Sequence, residues 1–80
     1  MRTQLTPSAS EVLVFKTSVT HRTDVEQLRP LLDRTLAGFA RWNFDLEDRD
    51  RILRVENGGP ARHELIAVMR TNGFECIELE

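Results

Sequence analysis

Four apolar residues stand in succession at Val12, Leu13, Val14 and Phe15, after a polar segment. A β-branched and aromatic run of this kind reads as a strand, here over 11–19. Consecutive apolar residues put hydrophobic side chains on both faces of a pleated strand. Such a strand belongs in the middle of a sheet. An 80-residue chain has room for one small core. The rest of the sequence must therefore supply strands on both sides of this one, and a layer to cover them.

The period changes next. In RTDVEQLRPLLDRTLAG, Val25, Leu28, Leu32 and Leu36 recur at spacings of three and four, one face of a helix. Asp24 with Gln27, or Thr23 with Glu26, offers a capping signal at its start, and Gly38 a stop. Pro30 lies inside this pattern and removes a bond to the carbonyl of Glu26. A kink is expected there, or a helix whose regular part begins near Pro30. RWNFDLEDRDRILRVEN then reads as a hairpin. Trp42, Phe44 and Leu46 alternate with charged or polar residues, the run Glu47 to Asp50 turns, and Leu53 and Val55 alternate again. NGGP is a loop whose Pro60 is placed to open a second helix. Ala61, Leu65, Val68 and Met69 share a face of that helix, and Gly73 ends it. FECIELE is a last short strand.

The order β-α-β-β-α-β specifies an α+β fold, the ferredoxin-like sandwich. Its antiparallel four-stranded sheet has the order 4-1-3-2, with two helices on one face, and the first strand is then central. Residues 1–9 form a flexible tail and 10–80 a single domain.

Composition excludes several function classes. The net charge of −2 gives no general attraction to nucleic acid or anionic membrane. RNA-recognition modules of this topology stack bases on aromatics of the first and third strands. The third strand here, RILRVE, has none. No apolar run is long enough to span a bilayer, and MRTQLTPSAS lacks the apolar centre of a signal peptide. The lone Cys76 forms no disulfide within the chain and suits a reducing compartment. A cytoplasmic protein without nucleic-acid or membrane partners is expected.

The stretches LAGFARWNFDLEDRDRILRVE and ARHELIAVMRTNGFECIELE resemble the heavy-metal-associated domain family of copper and zinc carriers. The first is similar to that family's helix end and hairpin, the second to its last helix and strand, with Gly73 and Phe74 at the Gly-aromatic pair. The resemblance runs from about residue 11 to the end and implies the ferredoxin-like fold. The family carries metal on a Gly-Met-x-Cys-x-x-Cys motif after the first strand. Aligned through the helix leucines, with one residue inserted before Gly38, His21 and Asp24 of SVTHRTD stand at the two cysteine positions.

Cu(I) requires thiolate or thioether ligands, and this loop has neither. His21 and Asp24 suit a divalent ion such as zinc, though two side chains alone make a weak site. The simpler account makes Asp24 a helix cap and His21 a solvated loop residue. His63 and Glu64 begin a zinc-hydrolase pattern, but Ala67 stands where its second His belongs. DLEDRD lacks the Gly and closing Glu of a calcium loop. NGGP has no following Lys for a phosphate loop. Cys76 reads as a small buried hydrophobe. No nucleophile with its base is visible, so no enzyme and no resident cofactor are expected.

With both helices on one side, the other face of the sheet is open. The central and last strands must contribute apolar residues to it whichever way they turn. Leu13, Phe15, Ile52, Ile77 and Leu79 are the expected stripe, with charged neighbours. Such a stripe suits a homodimer contact or a protein partner.

Overall fold

The computed structural model describes residues 12–36 and 40–79. The 1–9 tail and the stop at Gly38 lie outside these residues. The elements are β1 (Val12–Thr17), α1 (Arg22–Leu36), β2 (Arg41–Asp45), β3 (Ile52–Glu56), a 3-10 turn (Gly59–Ala61), α2 (Arg62–Thr71) and β4 (Cys76–Leu79). One antiparallel sheet has the order β2-β3-β1-β4, with β1 between β3 and β4. This is the ferredoxin-like sandwich, and its strand order is the expected 4-1-3-2 read from the other edge.

The hairpin sets which way β1 faces. Leu53 and Val55 are fully buried, and their register partners on β1 are Phe15 and Leu13. Directly opposed residues share a face. Phe15 and Leu13 therefore point under the helices, at 0% and 3% exposure. This corrects their expected place on the open face. Val12 and Val14, the smaller pair, lie there instead. Phe44 and Trp42 extend the same two rows onto β2 and are half-buried against the core.

α1 buries Val25, Leu28, Leu32 and Leu36, the predicted face. It starts earlier than either capping signal suggested. The carbonyl of His21 accepts from the N–H groups of Asp24 at 3.0 Å and Val25 at 3.3 Å, so the first turn begins at Arg22. The helix also continues through Pro30 without a break. Leu28 and Leu32, both buried, hold it on either side of the missing bond. Pro60 opens the 3-10 turn rather than α2 itself. α2 seats Leu65 and Met69 in the core and ends with Gly73 at φ 90°. There the N–H of Phe74 returns to the carbonyl of Met69 at 3.0 Å, closing the helix end. An ion pair of 2.9 Å between Arg62 and Glu78 ties the start of α2 to β4.

Candidate functional site

The loop after β1 is held by Thr17, which sequence reasoning passed over. Its hydroxyl donates to the carbonyl of Arg51 at 2.6 Å and accepts from the N–H of Val19 at 3.2 Å. Val19 is fully buried and pins the loop from below. Ser18 Oγ accepts from the N–H of Glu75 at 2.9 Å. Replacing Thr17 with Val keeps the shape but strands a buried N–H and a carbonyl. A loss of about 1–2 kcal/mol is expected in denaturant melts. The amide signals of residues 18–21 should move with it.

On this support, His21 and Asp24 do approach each other. His21 Nδ1 lies 3.6 Å from Asp24 Oδ2 and 2.9 Å from Thr20 Oγ1. The pair meets because His21 is the last residue before α1 and Asp24 is in its first turn. The His21 side chain is 75% exposed. Among the described residues no group of three His, Cys, Asp or Glu side chains converges on one point. Among the described residues, His21 and Asp24 are therefore two side chains without a converging third.

The open sheet face is ordered in rows by the register. Asn43, Arg54, Val14 and Leu79 stand side by side across the four strands. The next row is Asp45, Ile52, Lys16 and Ile77. Arg41, Glu56 and Val12 form the third. Apolar residues therefore gather at the β1–β4 corner, where Val12, Ile77 and Leu79 are 40%, 48% and 38% exposed. Ile52 sits half-buried beside Lys16. The register of Val12 with Glu56 and Val14 with Arg54 decides this membership, and no property of β1 alone reveals it.

Cys76 is buried on the opposite side of β4. Burial pushes its thiol pKa up to about 11 from 9.0. The folded chain thus holds the thiol proton more tightly than the unfolded one. This contribution to stability is full below pH 9 and is lost as pH climbs toward 11. Cys76→Ala should flatten that decline in a pH series of melts, and the native thiol should resist alkylation at neutral pH. No helix among the described residues is long and apolar enough to cross a membrane. Compared with family models, curated proteins and solved structures, the chain finds no match.

Proposed function

We infer that this chain is a non-enzymatic binding module of the heavy-metal-associated type, and that it docks a protein partner on its open sheet face. One observation carries the reading. Val14 and Leu79 are opposed across β1 and β4, and Val12 and Ile77 adjoin them, so the exposed Val12, Ile77 and Leu79 and the half-buried Val14 form one apolar cluster beside Lys16 and Arg54. An apolar centre with a charged rim is the usual anatomy of an interface. The β-α-β-β-α-β order supports the family resemblance. The replaced cysteine pair argues against soft-metal transfer. The single buried thiol supports a reducing, cytoplasmic setting. A photoreactive residue at position 77 should capture a protein from an extract of the source cells, saturably, and Leu79→Glu should abolish capture. Equal capture from position 64, on the exposed side of α2, would refute this surface.

A weak divalent-metal site is the second reading, favoured by the 3.6 Å approach of His21 to Asp24. Zn(II) added to isotope-labelled protein would then shift the amides of residues 18–25 saturably. His21→Ala would remove those shifts. Diffuse shifts, unchanged in His21→Ala, would dismiss the site.

A further inference from the structure

β2 pairs with β3 along one edge, and among the described residues nothing pairs with the other. No proline interrupts it. A free edge of this kind is a template for another strand. The sequence along it is Ala40, Arg41, Trp42, Asn43, Phe44, Asp45, Leu46. Placed antiparallel to itself about a two-fold axis at Asn43, this stretch matches itself at every position. Arg41 faces Asp45 of the second copy, Trp42 faces Phe44, and Ala40 faces Leu46. The face of each pair is already fixed. Arg41 and Asp45 are both exposed on the open face, while Trp42 and Phe44 are both half-buried on the helix side. Opposite charges and paired aromatics are the cross-strand combinations that stabilise a sheet. The two-fold repeats each of them. Slipping the register by two residues one way leaves Arg41 opposite the neutral Asn43, and the other way sets it against Glu47, which lies in the turn beyond the end of β2, so within the strand itself the opposed charges favour this register.

A second observation lies beside the edge. A groove of about 300 Å³ runs between α1 and β2, lined by Val25, Arg22, Arg29, Trp42, Phe44 and Leu46 among others. Trp42 is already fixed at its wall. Its Nε1 donates to Asp33 Oδ1 at 2.8 Å, the Arg29 guanidinium lies 5.3 Å from its ring centre, and Phe44 meets it edge-on at 5.9 Å. An aromatic anchor immobilised beforehand loses little freedom on association.

We propose that the chain forms an isologous dimer by antiparallel pairing of β2 with β2 of a second copy, joining two four-stranded sheets into one. Phe44 and Trp42 of each copy, held at the wall of their own groove, then lie beside Trp42 and Phe44 of the other. This contact is separate from the open-face corner at β1 and β4, which stays accessible in both copies.

Sedimentation equilibrium of the full chain over a concentration series tests it. The mass should rise toward twice 9.2 kDa. Trp42 is the chain's single tryptophan, so its emission should shift blue with the same midpoint. Arg41→Glu and Asp45→Arg each set two like-charged pairs against one another. Each should weaken the dimer by about tenfold or more. An equimolar mixture of the two variants opposes unlike charges at both positions and should recover the dimer. That recovery cannot arise from a change within one copy, such as loss of the bond from the N–H of Glu47 to Asp45 at 3.2 Å. A wild-type chain that stays monomeric to about millimolar overturns the proposal. So do variants that dimerise like wild type, or a mixture no tighter than its components. Amide exchange on the wild-type chain needs no variant. Slowing with concentration should fall on residues 41–45, and slowing on β4 instead overturns the pairing.

Discussion

Phe15→Ala should lower the unfolding free energy by about 3–5 kcal/mol in urea melts, the range for deleting a buried aromatic ring. Phe15 is fully buried, opposite Leu53 on β3 and Glu78 on β4, in the central strand. Removing its ring leaves a void under both helices that the rigid rows around it fill poorly. A domain of this length has about 4–12 kcal/mol of stability in total. The variant should therefore be substantially unfolded near room temperature in mild denaturant. Ile77→Ala is the matching control, because Ile77 is 48% exposed on the other side of the sheet. Its loss should stay within about 1 kcal/mol. Equal losses in the two variants, or a larger one at Ile77, would mean that β1 and β4 face the other way. That outcome would also dismantle the apolar corner proposed for partner docking.

The orientation of β1 is also the clearest place where the sequence stops short. The order of elements is legible because each announces itself by a change of period or a turn residue. The strand order follows, since the doubly apolar run must sit centrally. But Val12 to Phe15 are apolar on both faces, so nothing within the strand separates inside from outside. The separation comes from β3, where Leu53 and Val55 alternate with Arg54 and Glu56, through a register that only the assembled sheet reveals. The helix start was hidden for a different reason. Two side-chain capping signals competed, yet the first bonds go to the backbone carbonyl of His21, which carries no sequence signature. That same shift brings His21 and Asp24 together. Thr17 had no signal at all, because its acceptor, Arg51, lies 34 residues away. The groove beside β2 was out of reach too, since it depends on where α1 crosses the sheet. The self-matching pattern of residues 40–46 is legible in the sequence, but it gains meaning only once β2 is known to be an edge.

Gly58→Ala should destabilise the fold by about 1–3 kcal/mol, toward the upper end, although nothing in its backbone demands glycine. Its φ and ψ of −101° and 10° are open to any residue. The constraint is space. A Cβ at position 58 would sit 2.4 Å from Cγ1 of Val55 and 3.4 Å from Cδ2 of Leu36. Val55 cannot give way easily, because it is β-branched, fully buried and paired on both sides, with Trp42 and with Leu13. The strain must pass either into the β3 ladder or into the 3-10 turn that Gly58 precedes. Shifting that turn moves the start of α2, including Arg62 and its 2.9 Å ion pair with Glu78 on β4. A melt of Gly58→Ala gives the size of the effect, and the double variant Gly58→Ala/Val55→Ala identifies its source. Truncating Val55 removes the clashing methyl, so the added loss from Gly58→Ala should shrink toward zero in that background. An undiminished loss would place the clash elsewhere and deny that Gly58 is there to let the loop close over β3.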